Sequence, residues 1–187
     1  MRRFSRIVLL LLTLAGAVVL VVGVTSKLYR IPSSAMEPTL HCPRPAGGCL
    51  GDEADRIAVS RVLYRVRDPK RGDVVAYRLT RRGAQRCGGR EGMTFLHRIV
   101  GLPGERVAVR AGIAHVDGKP LSEDYVPRDQ RGGPSTAQRA LPAKHYFVLG
   151  DNRSQSCDSR IWGTLPRDRI IGPRIATYWP LERLSIG

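Results

Sequence analysis

The residues of this chain best equipped for chemistry are four cysteines, four histidines and a pair of adjacent serines. Cys42, Cys49, Cys87 and Cys157 form an even set. Such a set suits either disulfide bonds or a zinc site. None of the four is spaced as a C-x-x-C pair, so no metal and no cofactor are expected. The stretch 42–49, CPRPAGGC, is a Pro/Gly turn whose ends could meet, leaving Cys87 for Cys157. Four cysteines allow three connectivities, and spacing alone leaves them open. His97 is of interest because an imidazole near its ordinary pKa of about 6.5 can take up a proton at neutral pH. His41, His115 and His145 stand apart and are expected to face solvent or pack in strands. Asp151 and Asn152 sit in a Gly-Asp-Asn turn, where hydrogen bonding to the local backbone is the expected role. Ser33 and Ser34 precede Ala35, a residue without a side-chain oxygen.

The elements that must position these groups follow from the pattern of apolar residues. Residues 7–24, IVLLLLTLAGAVVLVVGV, are uncharged and unbroken. As a helix at about 1.5 Å per residue the run just spans a hydrocarbon core of about 30 Å. It is longer than the apolar region of a cleavable signal peptide and lacks a good small-x-small site after it, so an uncleaved anchor is expected. Arg2, Arg3 and Arg6 place the tail 1–6 in the cytoplasm and the body, residues 28–187, outside it. Four cysteines fit that oxidising side. The rest of the 187 residues suffices for one domain with a core. Short apolar or alternating runs at 57–59, 74–79, 95–102, 146–149 and 170–179 predict strands. Residues 106–121 predict a strand, a turn at Ala111-Gly112, a second strand and a tight turn at Asp117-Gly118. Residues 85–92 and 128–140 are expected to be surface loops, and no further helix of note is predicted. The expectation is a single transmembrane helix followed by a mostly β, antiparallel domain.

The formal net charge is +15, from 31 Lys and Arg against 16 Asp and Glu. On a protein held at a bilayer it predicts attraction to anionic lipid headgroups, at about 1 kcal/mol per cation near the surface. The cations are scattered rather than massed in one run, so nucleic acid is not an expected partner. Trp162 and Trp179 fit either a core or a membrane interface.

Four stretches carry a resemblance to a known family. Residues 30–40 read RIPSSAMEPTL, 71–77 RGDVVAY, 95–105 FLHRIVGLPGE and 150–163 GDNRSQSCDSRIWG. In this order they resemble the type I signal peptidases, membrane-anchored serine endopeptidases that remove signal peptides from exported preproteins. The resemblance implies a single-pass protein of the cell membrane, with a catalytic β domain outside the cytoplasm and signal peptides as partners.

Residue by residue, the resemblance puts the nucleophile position at Ala35, where the hydroxyl is absent. The base position, usually lysine, is His97. Ser33 matches the hydroxyl of the oxyanion hole, Ser156 the hydroxyl that hydrogen-bonds the base, and Asp158 and Arg160 a supporting ion pair. A histidine merely held in its strand is the alternative at position 97. Ser34 is the nearest substitute nucleophile. If the segment is extended, Ser34 faces away from the base, and Ser33, on the same face as Ala35, lies about 6–7 Å along the chain. Two readings follow: a serine endopeptidase of low or unconventional activity, or a non-catalytic paralogue that binds signal-peptide-like segments without cleaving them. With the hydroxyl restored by Ala35→Ser, a histidine base near its ordinary pKa predicts activity that rises between about pH 6 and 7.5.

Overall fold

The structure, a computed structural model, describes Thr13, Gly16 and residues 23–187. The tail 1–6 and nearly all of the apolar run 7–24 lie outside the described residues. Among the described residues no helix is long and apolar enough to cross a membrane.

In chain order the elements are β1 (Ser26–Arg30), β2 (Arg56–Ser60), β3 (Val74–Arg78), α1 (Arg81–Cys87), β4 (Thr94–Gly101), β5 (Arg106–Arg110) and β6 (Ile113–Val116). They continue with β7 (Lys119–Pro120), β8 (Thr136–Ala140), β9 (His145–Leu149), α2 (Ser159–Trp162), β10 (Leu165–Pro166), β11 (Ile170–Trp179) and β12 (Ser185–Ile186). The larger sheet runs β1-β2-β11-β3-β4-β9-β10, with β12 also paired to β11. The smaller runs β7-β6-β5-β8. Every named strand pairing is antiparallel.

The near-continuous apolar strands are those covered on both faces. Side chains alternate along a strand. In β3, Val74 and Ala76 enter one buried cluster with Met36, Leu40 and Ile57, while Val75 and Tyr77 enter another with Ile99, Val148 and Trp162. In β9, Tyr146 and Val148 join that second cluster, and Phe147 and Leu149 pack with Val107, Val109 and Leu141 beneath the smaller sheet. The turn at Asp117-Gly118 has positive φ at both residues, 49° and 83°, the conformation a tight two-residue hairpin needs.

Three expectations are corrected. Residues 128–140 are not all loop, because Thr136–Ala140 pairs with β5; four of its five residues are exposed, so it carries no apolar alternation to read. A further helix exists: α1 is RRGAQRC, capped by the Thr80 hydroxyl accepting from Gly83 N at 3.1 Å and ended by Gly88 at φ 71°. It has no apolar stripe to give a helical period and its central glycine disfavours a helix, whereas its caps are the preferred residue types. The larger sheet also begins earlier than expected, with β1 paired to β2 from Ser26↔Ser60 to Arg30↔Arg56.

The disulfides join Cys42 to Cys49 and Cys87 to Cys157, with Cα–Cα separations of 5.0 and 5.8 Å. The second ties the end of α1 to the segment leading into α2. Trp162 is buried in the core and Trp179 is partly exposed, its indole N–H donating to Glu53 at 2.6 Å.

Candidate active site

Ala35 lies in a single turn of 3-10 helix, Ser34–Met36, entered from an extended Ser33 at φ −143°, ψ 158°. The segment is therefore not extended through Ala35, and the two-face argument for Ser33 and Ser34 does not describe it. A 3-10 turn places successive side chains about a third of a turn apart. Ser34 is buried and its hydroxyl donates to Gln155 Oε1 at 2.8 Å. Ser33 is exposed and forms no side-chain cap to the turn. Ser33 and Ala35 both line a groove of about 410 Å3, whose apolar walls include Ile31, Met36, Phe95 and Leu96.

His97 lines the same groove. The pairing of β3 with β4 sets it opposite Val75, and its imidazole is buried. Ser156 Oγ lies 3.1 Å from its Nε2, and Tyr77 OH lies 2.7 Å from its Nδ1. Burial is the main influence on this ring and pushes its pKa down from 6.5 to about 4. The carboxylates of Asp158 and Asp151 oppose that lowering, and Arg160 adds to it. His97 is thus already neutral across the range where activity was expected to rise with pH.

The tautomer follows from hydrogen-bond accounting. Tyr77 is fully buried, and burial, with Asp158 nearby, holds its phenol protonated far beyond neutral pH. Among the described residues His97 Nδ1 is the acceptor within reach of that O–H, and leaving a buried donor unpaired costs about 1–3 kcal/mol. Tyr77 therefore donates to Nδ1, and the single imidazole proton sits on Nε2, where it is donated to Ser156. Ser156 accepts that proton through its hydroxyl oxygen. His97 presents an N–H, not a lone pair, on the Ser156 side.

Behind this pair, Asp158 accepts from Arg160 Nε at 2.8 Å and Nη2 at 2.9 Å, and from Gly150 N at 3.1 Å. The same carboxylate caps α2. Arg160 also donates to the carbonyls of Arg153 and Ser156, which fixes the backbone from which Ser156 projects. Gly150 has no alternative, since a Cβ there would collide with Ser156 Oγ and the Ala35 carbonyl oxygen.

Several positioning residues carried no sequence signal of their role. Asp151, expected to bond locally, instead accepts from Arg98 Nε at 2.9 Å, Arg98 Nη2 at 2.6 Å and Thr39 Oγ1 at 2.6 Å. Arg98 Nη1 also donates to Gly72 O at 2.9 Å, so this largely shielded ion pair joins all four motif stretches. Glu37 is buried and accepts from Cys42 N at 2.9 Å and Leu50 N at 3.0 Å. It also pairs with His41 Nδ1, so His41 does not stand apart as expected. Glu37 lies with Cys42 and Cys49 in a cluster of metal-ligating types, but the two sulfurs are bonded to each other. His115 and His145 turn Nδ1 toward the carbonyls of Ile113 and Ala143.

Comparison with known proteins adds the following. Residues 4–179 match the family described as signal peptidase, peptidase S26. The chain is 36% identical over 179 residues to probable signal peptidase I-2 of Synechocystis sp., covering 93% of this chain and 74% of that protein. It is 36% identical over 178 residues to signal peptidase I of Leptolyngbya laminosa, covering 92% and 80%. To thylakoidal processing peptidase 1 of Arabidopsis thaliana it is 33% identical over 159 residues, covering 83% and 42%. A crystal structure of a signal peptidase I from Enterococcus faecalis matches 57% of this chain and 97% of that one, with 30% identity and a TM-score of 0.45.

Proposed function

Since the chain belongs to the signal peptidase family, peptidase S26, we propose that it binds signal-peptide segments of exported preproteins at the membrane surface and does not cleave them. The apolar groove receives the segment. Ser33 and the Ala35 N–H meet its carbonyl oxygen, and His97 faces the place where a serine oxygen would attack. The observation that carries this reading is Ala35 lining the groove beside His97.

Acyl transfer requires a nucleophile and a base with a free lone pair. Ala35 supplies no oxygen, Ser34 is engaged with Gln155, and His97 carries its proton on the Ser156 side. That proton also removes Ser156 as an attacking group. An oxyanion hole and binding alone retain about 10³–10⁴-fold over water, too little to detect against the slow uncatalysed hydrolysis of a peptide bond.

In this reading residues 1–6 are cytoplasmic, 7–24 form the anchor and 28–187 lie outside. β1 leads from the end of that run to Tyr29 and Arg30 at the groove. Five residues at about 3.3 Å each hold the groove within about 16 Å of the anchor's end, where a membrane-inserted signal peptide emerges.

The test uses the full chain in membranes with a photo-crosslinkable preprotein. Binding predicts crosslinks from the signal-peptide region to the groove and no mature product. Efficient processing by the parent chain would overturn the proposal. Protease applied outside intact cells reads topology separately: it should digest the domain and spare the tail, and recovery of a soluble form beginning near Lys27 would remove the anchor.

A further inference from the structure

A second cavity, of about 400 Å3, lies at the opposite end of β1 from the groove. Val24 and Thr25, the last residues before β1, line it together with Arg61, Arg65, Arg78 and Arg169. The sheet brings them together. Arg61 follows the last residue of β2 and its N–H donates to Thr25 O at 2.8 Å. Arg78 ends β3, and Arg169 immediately precedes β11, which lies between β2 and β3. Antiparallel pairing therefore delivers three arginine-bearing strand ends to one edge.

These cations differ from those of the interior. Arg98, Arg153 and Arg160 are each committed to a buried carboxylate. In the cavity Arg169 reaches an exposed Glu91 at 3.0 Å. Among the described residues Arg61, Arg65 and Arg78 have no carboxylate or carbonyl partner for their guanidinium groups. Asp168 is the one acidic group among the described residues of the wall. Ile170, Ile171, Val62 and Val24 supply apolar surface beside the charges. Three free guanidinium forks beside an apolar wall suit a phosphate diester carrying acyl chains, since arginine matches phosphate oxygens bidentately.

We propose that this cavity is a binding site for the phosphate headgroup of an anionic glycerophospholipid. It rests on the reading of 7–24 as a membrane anchor, because that run ends at Val24 in the cavity wall and so puts the arginines at headgroup depth. The phosphate sits among Arg61, Arg65 and Arg78, and Asp168 accepts from a headgroup hydroxyl. A lipid held there fixes the height of β1, and with it the groove, above the bilayer.

The test is native mass spectrometry of the full chain released from micelles containing phosphatidylglycerol or phosphatidylcholine. Retained phosphatidylglycerol should fall at least ten-fold in an Arg61→Gln/Arg65→Gln/Arg78→Gln variant. It should persist in Arg106→Gln/Arg110→Gln/Arg131→Gln, which removes equal charge from the smaller sheet and its adjoining turn, outside the cavity wall. Equal loss in both variants, or equal retention of phosphatidylcholine, overturns the site. Displacement of the lipid by glycerol phosphate or by an oligonucleotide at matched concentration overturns the lipid assignment. Carbonate extraction of the parent from membranes reads the anchor independently: release would remove the anchor reading, whereas unchanged lipid retention in a membrane-embedded variant removes only the cavity. Matching unfolding midpoints for parent and variants exclude misfolding as the cause.

Discussion

The Tyr77 hydroxyl lies 2.7 Å from Nδ1 of His97, in a part of the core from which both side chains exclude solvent. This contact decides where the imidazole keeps its proton, and so whether position 97 faces its neighbours as donor or as acceptor. The expected outcome is a 15N spectrum at pH 7 with His97 Nε2 protonated and Nδ1 bare. Tyr77→Phe should shift population toward the other tautomer. An Nδ1-protonated ring in the parent would overturn the assignment.

Restoring the missing oxygen alone should achieve little. Ala35→Ser places a hydroxyl in the groove but leaves it facing an N–H, so preprotein cleavage should stay near the parent's. Adding His97→Lys should raise it by about 10²-fold or more, within the range for a positioned base. The burial that lowers His97 would also deprotonate a lysine there, with Ser156 within reach to orient it. Efficient cleavage by Ala35→Ser alone would show that the histidine is a competent base.

Stability should depend on pH through His97. Its folded pKa is about 4 against 6.5 in an exposed imidazole. Between those values the unfolded chain holds the extra proton, so stability is full above pH 6.5 and is lost as pH falls toward 4. The expected loss between pH 7 and pH 5 is on the order of 2 kcal/mol. Urea unfolding of parent and His97→Gln at both values isolates this contribution, and identical pH dependence in the two would refute it.

The Arg98–Asp151 pair should matter more for stability than any surface pair. Both partners are largely shielded from solvent, and Thr39 shares the carboxylate. Asp151→Ala leaves a guanidinium buried without its partner, at a cost of about 3–5 kcal/mol. Arg44–Asp52, exposed at both ends, should cost under about 1 kcal/mol when broken. The difference in denaturation midpoint between Asp151→Ala and Asp52→Ala checks the ordering.

The two disulfides should contribute unequally. Closing the loop from Cys87 to Cys157, a separation of 70, should stabilise by about 4 kcal/mol on chain-entropy grounds. The Cys42–Cys49 loop, with a separation of 7, should give about 2.5 kcal/mol. Paired Cys→Ser variants measured by thermal unfolding test the ranking.

Much of the fold was legible because strands advertise themselves by alternation and apolar runs. Residues 74–79, 95–102 and 146–149 read as strands because both faces of that part of the sheet are covered. The Asp117-Gly118 turn was legible because its backbone needs positive φ. The exposed strand Thr136–Ala140 and the arginine-rich helix Arg81–Cys87 were not, since neither buries a periodic face. Their conformations are set by partners: Arg106–Arg110 for the strand, and the Thr80 and Gly88 caps with the Cys87 bond for the helix.

Of the site, the sequence by itself determined the chemical inventory: no oxygen at Ala35, an imidazole at 97, hydroxyls at Ser33, Ser34 and Ser156, and an acid and a base at Asp158 and Arg160. It also determined the order of the four motifs, which a linear pattern can carry. The tertiary structure decided what those groups can do. It turned Ser34 away into a bond with Gln155, gave His97 a tyrosine on one side and a serine on the other, and removed the water that would otherwise keep the ring near its ordinary pKa. A side chain's identity is local, but its protonation and its free lone pair depend on neighbours that arrive from Tyr77, 20 positions before His97, and Ser156, 59 after it.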